Sequence, residues 1–261
     1  MMTIQQIQAN DVTATYRALF RTDEPHPTRL RSVLTGVTEG KLFTDDPLNP
    51  TWGIVQESFD GCIYLGGTPE PATIVSVIAN LRRECMVLAP LWLNDPRRDL
   101  LPNAVGEESF SIDFYDRPLG EGLVPYLHAV PADCTIRRAD RELIMRTEWG
   151  PGDVDHHGGL DAWEQQCICF CLLRGEEILS EASVGPGVDR LREPGVFTQE
   201  AHRGKGYGTL VAAHLIHHLE ALGESTYWSC DSENYASAGI GRKLGYRVEK
   251  GFRVLAWSKV S

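Results

Sequence analysis

The sequence contains no run of about 18 consecutive apolar residues, so no segment reads as a membrane-spanning helix. Its opening, MMTIQQIQANDV, lacks a basic region followed by an apolar one, which argues against a secretory signal. Positive charge is scarce. There are 25 Lys and Arg against 36 Asp and Glu, a formal net charge of −11, and the acidity leans towards the N-terminal half. Nonspecific binding to nucleic acid needs clustered cations and is therefore disfavoured. Internal repeats, low-complexity tracts and long charge blocks are also missing. The cysteines are Cys62, Cys85, Cys134, Cys167, Cys169, Cys171 and Cys230. An odd number without a leader reads as reduced thiols in a cytosol, so the expected location is cytoplasmic.

What is present is ordinary. The chain has 261 residues, 42% hydrophobic and 23% charged, as soluble globular proteins do. That length suits one large domain or two ordinary ones, either able to bury a core without disulfides or metals. In the first half, Asp11 is placed to cap a helix to about Phe20, and a second covers Pro27 to Leu34. Trp52 to Val55 and Cys62 to Leu65 read as short strands around a polar turn. Thr68 followed by Pro69 predicts an N-cap and first helical residue for a helix to about Glu84. Met86 to Leu91 and the alternating Phe110, Ile112 and Phe114 predict strands. Asp116 to Asp133, rich in Pro and Gly, marks the expected boundary between an N-terminal α/β lobe, 1–132, and a second domain, 133–261.

The second half is more regular. A strand at Cys134 to Arg137 precedes a helix at Ala139 to Glu148. Gly150 to Gly159 reads as a flexible loop carrying His156 and His157. Cys167 to Leu173 and Glu177 to Val184 predict a hairpin around Arg174-Gly175-Glu176. A strand at Gly195 to Gln199, a helix from Gly206 to Leu222 stopped by Gly223, and a strand at Thr226 to Cys230 follow. A helix from Asn234 to Leu244, closed by Gly245, leads into the last strands, Arg247 to Trp257.

The informative segment is Val196-Phe197-Thr198-Gln199-Glu200-Ala201-His202-Arg203-Gly204-Lys205-Gly206-Tyr207-Gly208-Thr209. A strand runs into a loop with three alternating glycines, and a helix starts at once. Glycine permits positive φ and close approach of a ligand to the backbone. The first N–H groups of a helix lack internal partners and lie at the positive end of its dipole. Together they form a site for phosphate or pyrophosphate, to which Arg203 and Lys205 add charge. The spacing is neither G-x-x-x-x-G-K-[ST] nor G-x-G-x-x-G, so a nucleotide P-loop and a dinucleotide fold are unsupported.

Arg203-Gly204-Lys205-Gly206-Tyr207-Gly208 resembles the acyl-CoA-binding motif of the GNAT N-acetyltransferase superfamily. Asn234-Tyr235-Ala236-Ser237, followed by Arg242-Lys243-Leu244-Gly245-Tyr246, resembles its second motif. The resemblance spans roughly Cys134 to Trp257. Ile168-Cys169-Phe170-Cys171, Glu177-Ile178-Leu179-Ser180, Phe197-Thr198 and Trp228-Ser229-Cys230 look like the zwittermicin-resistance-type branch, whose members carry an extra N-terminal region.

The resemblance implies an α+β fold with a mixed, mostly antiparallel sheet flanked by helices, beside an N-terminal α/β lobe that is itself a candidate degenerate copy. It implies acetyl-CoA as the acyl donor. The pantetheine arm would lie between strands Val196–Thr198 and Thr226–Cys230, and a strand N–H near Phe197 would polarise the thioester. Backbone N–H groups of Gly204, Lys205, Gly206, Tyr207, Gly208 and Thr209 would hold the pyrophosphate, and Asn234 and Ser237 would contact the cofactor further on. A substrate amine would attack the thioester directly, with Glu193 as the candidate base and Glu200 and Asp231 as alternatives. Each of the three also reads as a solvated surface carboxylate. One departure stands out: Gly241 occupies the place of the tyrosine that many such enzymes use as acid toward the leaving thiolate.

Other constellations carry less. Cys167, Cys169 and Cys171 lack a second zinc knuckle and read as small buried hydrophobes. His214 and His218 stand four apart on a helix without an HExxH glutamate or an evident third ligand, so no metal site is expected. His156 and His157 fall where an acceptor would border the fold. The expectation is an acetyl-CoA-dependent N-acetyltransferase acting on an amine of a small molecule, with no nucleic-acid or membrane partner and with a homodimer left open. Two alternatives stand beside it. One is a weakly catalytic or non-catalytic acyl-CoA-binding module, which Gly241 favours; the other is acyl transfer to a protein or peptide.

Overall fold

The computed structural model describes residues 4–102 and 108–260. In chain order the strands and helices of the first half are β1 (Gln5–Ile7), α1 (Ala14–Ala18), α2 (Pro27–Leu34), β2 (Gly40–Thr44), β3 (Trp52–Glu57), β4 (Ile63–Gly67), α3 (Pro71–Leu81), β5 (Val87–Trp92) and β6 (Ser109–Tyr115). Then come α4 (Val124–Leu127), β7 (Thr135–Arg138), α5 (Arg141–Ile144), α6 (Gly150–His156), α7 (Leu160–Gln166), β8 (Ile168–Arg174), β9 (Glu177–Val184), β10 (Leu191–Arg192) and β11 (Pro194–Thr198). The chain continues with α8 (Tyr207–Ala221), β12 (Ser225–Thr226), β13 (Trp228–Asp231), α9 (Tyr235–Lys243) and β14 (Val248–Trp257). None of the helices among the described residues is long and apolar enough to cross a membrane.

The chain divides into two compact units: Met1–Asp113 with Asp231–Glu233 and Lys250–Ser261, and Phe114–Cys230 with Asn234–Glu249. The sequence placed the division near residue 132. Two features it could not weigh move the limits. Asp116 to Asp133, open in composition, is fastened within the second unit: Arg117 pairs with Glu220 of α8, whose carboxylate also accepts the N–H of Gly120 at 3.1 Å. The other is β14, whose residues Phe252 to Trp257 pair antiparallel with Trp92 to Val87 of β5.

In the first unit, β1 to β4 form an antiparallel meander in chain order. Its alternation sorts side chains onto two faces. Leu42, Val55 and Tyr64 join Tyr16, Leu30 and Val33 of α1 and α2 in one core. Phe43, Ile54, Ile63 and Leu65 join Ile74, Val77 and Ile78 of α3 in the other. Helix α2 starts at Pro27, as its sequence predicts, but α1 is capped by Thr13, not Asp11. Helix α3 starts at Pro71 rather than Pro69. The residue before a proline is driven to extended backbone, and Glu70 has φ −66° and ψ 142°, so the helix cannot begin earlier.

In the second unit, β7, β8, β9 and β11 form a second antiparallel sheet, again paired in chain order. One face packs on α8, whose Leu210, Val211, Ala212, Leu215, Ile216 and Leu219 are buried. The opposite face carries Cys167, Cys169 and Cys171 against Leu143, Ile144, Val154 and Trp163. The thiols are free and buried there, and burial pushes the Cys167 thiol up to about 12. The expected loop at Gly150 to Gly159 is largely helix, with Pro151 in its first turn. Gly150 is needed because a Cβ there would lie 2.0 Å from the Ile144 carbonyl oxygen.

The two units repeat one topology. In each, four antiparallel strands are followed by a helix and then by a strand running parallel to the last of them. In the first unit β4 leads through α3 to β5, with a parallel bridge between Cys62 and Leu88. In the second unit β11 leads through α8 to β12 and β13, and Leu191 and Arg192 of β10 pair parallel with Ser225 and Thr226 of β12.

Candidate active site

The second unit's strands fork. Leu191 and Arg192 pair with Ser225 and Thr226, and the Tyr227 N–H still reaches the Arg192 carbonyl at 3.1 Å. Beyond that point β11 belongs to the sheet of β9, β8 and β7, while β13 belongs to a different sheet beside β6. The edge of β11 that looks into the fork follows from the phase of its ladder. Gln199 donates its N–H to the Leu179 carbonyl at 3.1 Å, and the register pairs Phe197 with Glu181 and Gly195 with Ser183. Hydrogen-bonded pairs alternate along an antiparallel ladder. Gly195 and Phe197 thus spend their backbone groups on β9, and Val196 and Thr198 turn theirs toward the fork. The expected donor near Phe197 then narrows to its two neighbours, and the Phe197 carbonyl also accepts from Ser180 Oγ at 2.8 Å. The N–H groups on the open edge are those of Val196 and Thr198.

At the far end of β11 the chain makes a 3-10 turn, Glu200–His202, and enters the glycine loop. Gly204 and Gly206 have φ of +77° and +82°, conformations that disfavour a side chain. A Cβ at either would meet no protein atom within 4 Å, so the loop's backbone is open to a ligand. Thr209 and Leu210 donate to the Gly206 carbonyl at 3.0 and 3.2 Å. The N–H groups of Gly204, Lys205, Gly206, Tyr207 and Gly208 take no backbone acceptor among the described residues. Thr209 therefore leaves the expected set of donors, and the other five remain. Arg203 and Lys205 are exposed beside them, with Arg203 Nε on the Thr198 carbonyl at 3.2 Å and Lys205 Nζ on the Ala201 carbonyl at 3.1 Å. Gly208 packs the helix onto the strand: its Cβ would lie 3.1 Å from Val196 and 3.2 Å from Thr198 and Ile240.

Val196 and Thr198 point their side chains at α8, so Gly195 and Phe197 face the other way. There the Trp149 ring lies 5.9 Å from the Phe197 ring, and a Cβ on Gly195 would lie 3.0 Å from it. Trp149 is held by its N–H on Glu181 Oε1 at 3.2 Å, and the Glu148 N–H takes Oε2 at 2.9 Å. Glu181 is 1% exposed, and burial raises its pKa despite these bonds. Glu193 stands at the vertex of the fork, half-buried, and accepts a short hydrogen bond from the Tyr227 hydroxyl. Tyr227 is fully buried and stacks on Tyr115 with ring centroids 5.9 Å apart.

The other expected residues have local structural duties. Asn234 caps α9, its Oδ1 accepting the Ser237 N–H at 3.0 Å. Ser237 Oγ accepts the Trp228 indole N–H at 3.1 Å. Both still face solvent in part and have a further donor to offer. Gly241 is buried, and a Cβ there would lie 3.2 Å from Trp228 and 3.5 Å from Phe114. The place of the customary tyrosine is thus closed by the Trp228 ring. Glu200 is exposed on the 3-10 turn, seven residues along the chain from Glu193. Asp231 falls in the first unit, where its Oδ1 accepts the Glu233 N–H at 2.7 Å. Of the three carboxylates, Glu193 alone is placed at the fork of the second unit. His156 and His157 lie at the end of α6 with rings 5.2 Å apart. Tyr227 and Trp149 were missed: Tyr227 is 34 residues from Glu193 along the chain, and Trp149 sits outside both motifs.

A family model, GNAT acetyltransferase, matches residues 17–255. The chain belongs to the GNAT acetyltransferase family. The match extends well into the first unit, beyond the Cys134 to Trp257 span visible in the motifs. The N-acetyltransferase YdfB of Bacillus subtilis is 25% identical over 122 residues, 46% of this chain and 46% of that one, so the match spans about half of that relative. Among solved structures, a GCN5-related N-acetyltransferase-like protein from Streptococcus suis superposes with a TM-score of 0.67 at 18% identity, over 95% of this chain and 99% of that one. A tandem GNAT protein from the clavulanic acid biosynthesis pathway superposes with a TM-score of 0.59 at 10% identity, over 97% and 98%. The fold is the α+β GNAT fold.

Proposed function

We propose that this acetyltransferase moves the acetyl group of acetyl-CoA directly to an amine of a small molecule. The observation that carries the reading is the fork itself, with one open strand edge leading to five amides at a positively charged loop. The residues fit the donor. The amides of Gly204 to Gly208, with Arg203 and Lys205, suit a pyrophosphate. The edge groups of Val196 and Thr198 suit the amides of a pantetheine chain, which pair as an added strand would. Bound there, acetyl-CoA supplies an activated acyl thioester. Val196 N–H is a fixed backbone donor available to a developing oxyanion. An alkylammonium has a pKa near that of lysine, about 10, so its proton needs an acceptor, and Glu193 is the carboxylate at the vertex.

The first unit fits a degenerate copy of the same fold, in line with the repeated topology. Its own fork is plugged. Arg97 donates to the Leu65 carbonyl at 2.6 Å and is clamped by Glu24 and Asp95. Pro69 and Pro71 remove amides where the second unit has its glycine loop. We assign one acyl-CoA site per chain, in the second unit. The branch resembling zwittermicin-resistance acetyltransferases rests on the strand segments quoted from the sequence.

One observation favours weaker catalysis: with Gly241 packed under Trp228, α9 offers no phenol at position 241 to the leaving thiolate. Thiol release from acetyl-CoA, measured with a panel of small amines, separates the readings. Amine-dependent release with loss of at least about 10²-fold in Glu193→Gln is expected. Measurable CoA binding with no release for any amine would support a binding module instead.

A further inference from the structure

We propose that Tyr227 is a positioning residue that holds Glu193 ionised and aimed at the fork. This rests on the reading of Glu193 as the base. The two residues come from the two strands that part here, and the hydroxyl of Tyr227 donates to Glu193 Oε2. A hydrogen bond donated to a carboxylate stabilises its charged form. Glu193 is half-buried next to an aromatic stack, a setting that by itself favours the neutral acid. The phenol offsets that penalty. It also fixes the rotamer, because Tyr227 cannot swing away: it is fully buried and stacked on Tyr115 with an interplanar angle of 17°. One carboxylate oxygen, Oε2, is thereby engaged by Tyr227.

Arg192, next in the chain, has its guanidinium on Glu224 at 2.8 Å and on the Gln166 and Gly185 carbonyls at 2.7 and 2.6 Å. From β6 comes Tyr115, and from the residue between β12 and β13 Tyr227 itself. The sheet face that carries Gly195 and Phe197 also carries Glu181 from β9, and α6 brings Asp153, His156 and His157 to that side. Asp153 is raised by burial and His157 lowered by it. The Tyr227 hydroxyl gives Glu193 a direct hydrogen bond from the facing strand segment.

The test compares wild type, Tyr227→Phe and Glu193→Gln. Two readouts are used: the pH dependence of kcat/KM, and a carbon-13 carboxylate titration of the protein without acetyl-CoA. In Tyr227→Phe the Glu193 titration and the acid limb of kcat/KM should both move up by about one pH unit, with the rate recovering at high pH. CoA binding should stay unchanged. Ring fluorination of Tyr227, which strengthens the donor without removing bulk, should move both readings down. An equal loss of activity at every pH, with the carboxylate titration unmoved, would overturn the proposal and leave Tyr227 a packing residue. Full activity in Glu193→Gln would instead overturn the base assignment itself, which separates the two failures.

Discussion

Gly241→Ala tests the packing that closes the second motif. In an exposed helix interior, exchanging Gly for Ala stabilises by about 1 kcal/mol. Here the new methyl would lie 3.2 Å from Trp228 Cδ1, 3.4 Å from its Cγ and 3.5 Å from Phe114 Cγ. The Trp228 ring is 2% exposed and tied by its indole N–H to Ser237, so it has little room to yield. Overpacking of this kind costs about 1–3 kcal/mol. The net expectation is destabilisation by about 1 kcal/mol, a fall of roughly 2–4 °C in the melting temperature of a unit this size. Gly241→Tyr should cost several times more and restore no activity. In a Trp228→Leu background the ring is gone, and Gly241→Ala should become stabilising by about 0.5–1 kcal/mol. Thermal unfolding followed by circular dichroism reads all five proteins, the wild type and Trp228→Leu included. A stabilising Gly241→Ala beside an intact Trp228 would refute the claim that the indole fills this place.

Gly206→Ala forces a side chain into φ +82°, costing about 1–2 kcal/mol, and sets a methyl where the loop faces a ligand. Isothermal titration should show CoA binding weakened at least about tenfold, with one site per chain in the wild type. Arg97→Met should cost the first unit about 3–5 kcal/mol, because Glu24 stays buried without its ion-pair partner and Asp95 keeps only Arg21, at 3.7 Å. Burial raises Asp95, but the bonds from Arg97 outweigh it and hold its pKa below the usual carboxylate value. Its contribution to stability is thus present above about pH 4 and lost as pH falls through the lowered value. Acid unfolding of Arg97→Met should start at higher pH. His214 and His218 are both lowered by burial. The unfolded chain takes up protons on them below about pH 6.5 and the folded chain resists, so stability should drop from pH 7 to 5. The double change to Leu should flatten that drop in urea titrations.

The legible parts of this protein were those set by neighbours in sequence. Pro27 fixed the start of α2, and Gly175 the turn between β8 and β9. Alternating glycines between a strand and a helix predicted the open loop at Gly204 to Gly208. What stayed hidden depends on distant partners. Gly150 to His156 has the composition of a loop, yet it is helical because buried Glu181 takes the N–H groups just before it and Val154 joins the core. Which amides of β11 face the fork is a matter of ladder phase, and no local pattern separates Val196 from Phe197. The pairing of β14 with β5 joins residues about 160 apart in sequence, so the true limits of the first unit could not be seen in composition. Glu193 was a candidate base by its place at the start of the motif strand. Its partner Tyr227 came into view only with the two strands side by side.

The account stands most directly on where acetyl-CoA binds. A crystal structure of the protein with CoA should place the pyrophosphate within hydrogen-bond distance of the Gly204 to Gly208 amides. The pantetheine should pair with Val196, the sulfur should lie near Glu193, and the first unit should hold no second CoA. A CoA molecule bound elsewhere on the second unit, or one seated in the first unit with Arg97 displaced, would contradict it.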